Sequence, residues 1–147
     1  MKIEIMNEDH VEKLLEMSKV FYSSDALDHE VSMDIIAKNI EAAVSGGDLL
    51  IGYVFREGEE IAGFSYVTRY YETEVGGVCT QIIDLYVDEK YRGRGFATQY
   101  FNFLLDEYSD SKRFRLEVVK DNIKAINLYK RVGFKEIPYG QMVIDKI

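Results

Sequence analysis

The stretch "QIIDLYVDEKYRGRGFATQYF", residues 81–101, constrains the fold more than any other part of the chain. Its opening run "QIIDLYV" is apolar on both faces of an extended backbone, the pattern of a central strand covered from two sides. Glycine and arginine alternate at 92–95, and Phe96, Ala97, Tyr100, Phe101, Leu104, Leu105 and Tyr108 then recur at helical spacing. A doubly covered strand, a glycine turn and an amphipathic helix can be buried together only in a layered arrangement of sheet and helices.

The rest of the chain supplies the layers. "KIEIM" alternates like a first strand. Asn7 can cap a helix with Val11, Leu14, Leu15 and Phe21 on one face, and Ser32 a second with Ile36, Ile40, Ala43 and Val44. "SGG" at 45–47 ends that second helix. "DLLIGYVFREGEEIAGFSYVTRYY" reads as a hairpin about Glu57-Gly58, and the glycines at 76–77 lead into the central strand. "RFRLEVV" alternates Phe114, Leu116 and Val118 as a half-buried strand. A helix over 122–132 buries Ala125, Leu128, Tyr129 and Val132 and stops at Gly133. "FKEI" and "QMVID" are expected to form two short closing strands around Pro138-Tyr139-Gly140. The order β-α-α-β-β-β-α-β-α-β-β makes an α/β fold, a mixed sheet with helices on its faces, in one domain over residues 1–147.

No run approaches 18 uninterrupted apolar residues, so no membrane span is expected. The start "MKIEIMNEDHVEKL" lacks the apolar core and cleavage site of a signal peptide, which points to a cytoplasmic protein. The net charge of −8 argues against a nucleic-acid partner and permits a cationic substrate, though an acidic surface also serves solubility. Cys79 is the one cysteine and reads as a small buried residue in or near a strand. With His10 on a helix face and His29 in a loop, no metal-ligand spacing is formed, and no metal is expected.

Glycine and positive charge at the start of a helix read either as an anion site or as an ordinary turn with solvated arginines. The first N–H groups of a helix have no internal partner and lie at the positive end of its dipole. Gly93 and Gly95 let a phosphate approach the backbone, while Arg92, Arg94 and Lys90 add charge. The Walker pattern is absent, and the dinucleotide fingerprint fails at Thr98.

"LYVDEKYRGRGFAT", through Arg92, Gly95 and Ala97, carries the pattern Gln/Arg-x-x-Gly-x-Gly/Ala. "DNIKAINLYKRVGF", through Asn122, Ala125, Leu128, Tyr129, Gly133 and Phe134, carries Asn-x-x-Ala-x-x-Leu-Tyr-x-x-x-Gly-Phe. Both motifs, in register with the element order of the whole chain, resemble the GNAT superfamily of acyl-CoA-dependent N-acyltransferases. The resemblance implies a mostly antiparallel sheet in which the strands at about 80–88 and 113–119 splay into a V that takes acetyl-CoA. Its pantetheine arm would pair with the backbone of Leu85, Tyr86 and Val87. Its pyrophosphate would sit on N–H groups of Arg92, Gly93, Arg94, Gly95, Phe96, Ala97 and Thr98, with Asn122, Ala125 and Tyr129 completing the cofactor site. Many relatives are homodimers. The aromatic stretch from Tyr66 to Tyr71 and the closing strands are the expected contact surface.

The chemistry implied is attack of a primary amine, on a small molecule or peptide, at the thioester within a ternary complex. Alkylamines are mostly protonated at neutral pH, so a base must take a proton and an acid should protonate the leaving sulfur. Tyr129 is the candidate acid by resemblance; by spacing alone it is part of an apolar helix face. Asp84, a carboxylate within an apolar strand, is the candidate base or amine ligand, or else a solvent-facing side chain. Many relatives carry glutamate in this strand, some one place earlier. Here Ile83 occupies that place and Gln81 is no base, so a water chain is the alternative. Acceptor contacts are expected from Tyr22, Asp25, Asp28, Glu30 and Tyr139, with Tyr70 and Tyr71 lining an aromatic groove. Asp84 with the acidic loop resembles the polyamine acetyltransferases of the same superfamily. A non-catalytic acyl-CoA sensor of the same fold would share the phosphate site and need neither Asp84 nor Tyr129.

Overall fold

A computed structural model describes residues 1–24 and 30–146. Strand β1 (Lys2–Ile5) leads through a 3₁₀ turn (Glu8–His10) into α1 (Val11–Tyr22), and α2 (Met33–Val44) follows. Strands β2 (Ile51–Glu57), β3 (Glu60–Glu72) and β4 (Gly77–Val87) come next, then a second 3₁₀ turn (Glu89–Tyr91) and α3 (Phe96–Glu107). Strand β5 (Arg113–Leu116) and α4 (Ile123–Val132) complete the regular elements. The sheet runs β1-β2-β3-β4-β5, antiparallel throughout except for the parallel pair β4–β5, which α3 bridges.

The helix starts follow local chemistry. Asn7 accepts from the N–H of Asp9 (2.9 Å), capping the 3₁₀ turn ahead of α1, and Ser32 accepts from Ile35 (3.3 Å) at the head of α2. Gly133 closes α4 at φ +118°, the left-handed conformation expected of a C′ glycine.

Two cores share the sheet. Helices α1 and α2 cover one face with Leu14, Phe21, Ile36 and Ile40 over Val54, Phe64, Tyr66 and Tyr86. Helix α3 covers the other with Phe96, Tyr100, Phe101 and Leu104 over Tyr53, Phe55, Val67 and Ile82. One irregularity matters for the site. Opposite Tyr66 and Val67 of β3 stand Asp84 and Ile82 of β4, so Ile83 is an extra, bulged residue. A bulge moves every later side chain to the other face. Ile82 therefore packs under α3, while Tyr86, four residues on, packs under α1.

Several expectations need correction. The two closing strands are not formed: residues 133–146 carry no regular structure, and Met142 (99% exposed) and Ile144 (94%) lie free of any core. An alternating pattern becomes a strand only where an edge in register receives it, and β5 offers four paired residues. Tyr66 and Val67, expected in an association surface, are buried because both faces of β3 are covered here, Tyr66 in the core under α1 and α2 and Val67 in the core under α3. Ala125, Leu128, Tyr129 and Val132 are half-buried rather than enclosed. His10 is buried beside Arg56, and burial together with that guanidinium holds its pKa below the ordinary imidazole value. His29 lies outside the described residues.

Candidate active site

The sheet opens where β4 and β5 part. Their pairing runs from Cys79–Arg113 to Ile82–Leu116 and stops, whereas β4 stays paired with β3 as far as Val87. From Ile83 onward β4 therefore has one edge without a strand partner. This is the V-shaped split between the fourth and fifth strands.

At the open end of β4 the chain turns into α3. Tyr91 and Phe96 are buried and meet edge to face at 5.7 Å, anchoring both ends of the turn. Arg92, Gly93, Arg94 and Gly95 between them are exposed. Gly93 (φ +75°) and Gly95 (φ +79°) adopt the left-handed conformation, and a Cβ built on Gly93 would meet no atom within 4 Å. Gly95 is the N-cap of α3 and has no side chain to cap it; the first intrahelical bond is from the Gln99 N–H to the Gly95 carbonyl (3.0 Å). The N–H groups of Phe96, Ala97 and Thr98 are thus presented at an open, positive helix end. Arg92 donates from Nε to the Val87 carbonyl (2.8 Å), holding its guanidinium at the end of β4. Lys90 is committed to Glu60 (2.7 Å), which also receives the Tyr91 hydroxyl.

Asp84 stands on the α1 face just past the bulge. Tyr22, the last residue of α1, donates its hydroxyl hydrogen to Asp84 Oδ2, and Ser65 Oγ donates to the Asp84 carbonyl (2.6 Å). Tyr66, directly across β3, buries its hydroxyl against Ser18. Burial pushes the Asp84 carboxyl above the ordinary carboxylate range, and the Tyr22 hydrogen bond pulls it partly back. Burial, and then the Asp84 carboxylate, hold the Tyr22 hydroxyl far above the ordinary tyrosine value.

Tyr129 lies on the opposite face of the sheet. Its ring meets Phe101 (5.8 Å) and Phe134 (6.2 Å) edge to face, and burial raises its pKa. It lines a cavity of about 420 Å³ with Leu104, Phe114, Leu116, Ile126 and Val132. Asn122 caps α4 by accepting from the Ala125 N–H (3.2 Å), which gives the Asn-x-x-Ala spacing a local physical cause.

Among the described residues, the expected acceptor contacts do not converge. Tyr22 is buried on Asp84, and Tyr70 accepts from Arg115 (3.4 Å). Tyr71 is exposed. Tyr139 donates to Glu74 (3.3 Å) in the β3–β4 turn, roughly 20 Å along β4 from Asp84 by strand rise. Glu30 is exposed, and Asp25 and Asp28 lie outside the described residues. Ser65 and Tyr66 are neighbours of Asp84 that were not expected from the sequence. The available signal was the apolar run "AGFSYV" with its lone serine, whose pairing sets Ser65 opposite Leu85 and Tyr66 opposite Asp84. Among the described residues no group of three or more His, Cys, Asp or Glu could hold a metal ion, and no helix is long and apolar enough to cross a membrane.

The sequence model of the Acetyltransferase (GNAT) family matches residues 11–134. The spermine/spermidine N(1)-acetyltransferase of Bacillus subtilis (strain 168) is 34% identical over 53 residues, which are 34% of this chain and 35% of that protein. A possible acetyltransferase from Clostridium difficile 630 shares the fold with a TM-score of 0.84 at 21% identity, over 99% of this chain and 97% of that one. Aminoglycoside N-acetyltransferase AAC(6')-Iy, in complex with CoA, does so with a TM-score of 0.79 at 16% identity, over 99% and 95%. At these identities the two structures establish the fold alone. The chain spans between 22% and 35% of the length of the curated relatives it matches.

Proposed function

The chain belongs to the acetyltransferase (GNAT) family, and from that premise we propose that it moves an acetyl group from acetyl-CoA to a primary amine by direct attack in a ternary complex. The observation that carries this reading is the split in the sheet, with a carboxylate on one face of it and a tyrosine on the other. Acetyl-CoA supplies the activated acyl group as a thioester. The open N–H groups around Gly93, Gly95 and Ala97 and the guanidiniums of Arg92 and Arg94 suit its pyrophosphate. The free edge of β4 at Leu85, Tyr86 and Val87 suits its amide-bearing arm. Both glycines leave room for a phosphate, so the chain's own residues fit the group.

Asp84 takes a proton from the ammonium on the α1 face. Tyr129 gives a proton to the departing sulfur from the α4 face. The split is the passage through which both can reach the reacting atoms. A raised carboxyl pKa strengthens Asp84 as a base near neutrality, and burial keeps the Tyr129 hydroxyl protonated. The acceptor we propose is a small cationic amine, in line with the acidic chain and the named activities of its relatives.

CoA-thiol release from acetyl-CoA against polyamines, amino acids, aminoglycosides and lysine peptides tests the reading. Turnover with a cationic amine is expected. Binding of acetyl-CoA without release across the whole panel would instead identify a sensor. We further propose a homodimer in the cytoplasm, supported by the exposed apolar side chains of Met142, Val143 and Ile144 and by a free, buried Cys79. Light scattering and cell fractionation test these two points.

A further inference from the structure

Asp84 is the half-buried carboxylate of the split, and its surroundings are more constrained than a surface acid requires. Its backbone carbonyl is held by Ser65 (2.6 Å), and its Oδ2 accepts from Tyr22. Tyr22 is in turn fixed from three directions. It ends α1, it is 7% exposed, and its ring meets Phe21 edge to face at 5.0 Å. The side-chain amide of Asn39 in α2 lies near the same hydroxyl and draws its raised pKa slightly back. The Tyr22–Asp84 bond thus ties α1 to the strand that borders the split. So deep a tyrosine has no ring face to offer an acceptor amine.

We propose that Tyr22 is a positioning residue for Asp84: its hydroxyl occupies Oδ2 and turns the carboxylate so that Oδ1 is left to take the proton of the acceptor ammonium. The proposal rests on the N-acetyltransferase reading. The step is a proton transfer. One N–H bond of the ammonium breaks, its electron pair stays on nitrogen as the attacking lone pair, and an O–H bond forms at Oδ1. The proton leaves to water after the product does. The titratable groups facing Asp84 are Tyr22 from α1 and Tyr66 from β3, with the neutral amide of Asn39 behind Tyr22 on α2. Both phenols are protonated at neutral pH, so the pair responds to pH through the carboxyl alone.

The test is Tyr22→Phe in the full chain, which keeps the ring and its packing. Two readouts are followed over a pH series. One is the carbon NMR signal of the Asp84 carboxyl in aspartate-labelled protein. The other is CoA-thiol release from acetyl-CoA with spermidine as acceptor. A hydrogen bond to the ionised form favours that form, so its loss should move the Asp84 titration upward by about one pH unit. The acid limb of kcat/KM should move up with it, and kcat near neutrality should fall about tenfold. Stabilisation by acetyl-CoA should not change. Asn39→Ala should shift both readouts in the same direction by less. A titration and an acid limb that stay in place in Tyr22→Phe overturn the proposal, whatever the rate does, because lost packing alone moves neither. If the wild type releases no thiol with any amine of the panel while the titration difference persists, the acetyl-transfer reading falls and takes the proton-accepting role with it. Tyr22's hold on the carboxylate then still stands.

Discussion

Asp84 is under two opposed demands, and they make its substitution informative. Burial disfavours its charge and Tyr22 favours it, and the net effect leaves its pKa raised in the folded chain. An acid whose folded pKa exceeds its unfolded value contributes least to stability once ionised. That cost is absent below the unfolded pKa, grows as pH rises through the interval up to the folded pKa, and stays constant above it. Asp84→Asn removes it, so thermal unfolding should show a more favourable melting temperature relative to wild type at neutral pH than in acid. The same change should lower kcat on the order of 10²-fold, the usual worth of one general base. That defect should shrink as pH rises and free amine accumulates. Tyr129→Phe removes only a hydroxyl from a ring wedged between Phe101 and Phe134. Steady-state kinetics should show kcat lower by about 10²-fold with acetyl-CoA affinity nearly unchanged. Normal turnover with weakened CoA binding would make Tyr129 a packing residue rather than the acid.

At the scale of elements, β4 shows what the residues disclose and what they withhold. Its two-faced apolar run marked it as a strand paired on both sides, and it lies between β3 and β5. Strand periodicity then puts Ile82, Asp84 and Tyr86 on one face. They do not share one, because a bulge is a property of a pair of strands in register and no single strand carries its signature. The side of the sheet that Asp84 faces was therefore hidden, although Asp84 itself was conspicuous. The glycine turn was legible because Gly93 and Gly95 are required by their own backbone angles. The closing strands were misread because "QMVID" has the local pattern without a receiving edge. Gly63 extends the same lesson. A Cβ there would lie 2.2 Å from the Tyr86 carbonyl oxygen, 2.8 Å from Phe55 Cδ2 and 3.1 Å from Val87 Cα, so β3 approaches β4 closely only because the residue is glycine. Gly63→Ala must push backbone rather than a flexible side chain, and should cost about 1–3 kcal/mol. Thermal unfolding should show a melting temperature lower by roughly 5 °C. An unchanged value would mean that the strands can separate at no cost.

The site belongs to the whole molecule, since its parts come from both layers. The phosphate turn and Tyr129 are held by the core under α3, Asp84 by the core under α1, and the split exists only once the sheet is assembled. The unfolded chain has no such site, so a ligand of the split binds the native state alone and must stabilise it by mass action. Acetyl-CoA at about a hundred times its Kd should add roughly 2.7 kcal/mol, a rise of about 5–10 °C in melting temperature. NAD, whose glycine fingerprint fails at Thr98, should give none. Gly95→Val tests whether the phosphate turn is where that stabilisation arises. A Cβ at Gly95 meets nothing closer than Gln99 Nε2 at 3.9 Å, so there is no clash within the protein. The left-handed backbone at φ +79° still costs a side chain about 1–2 kcal/mol, and the variant should melt lower without ligand. The informative quantity is therefore the shift that acetyl-CoA produces in the variant relative to its own ligand-free value. That shift should vanish, because a valine side chain beside the helix N-terminus keeps a pyrophosphate from reaching the N–H groups of Phe96 and Ala97. A shift equal to that of wild type would mean that the pyrophosphate binds elsewhere, and the assignment of this turn would have to be abandoned.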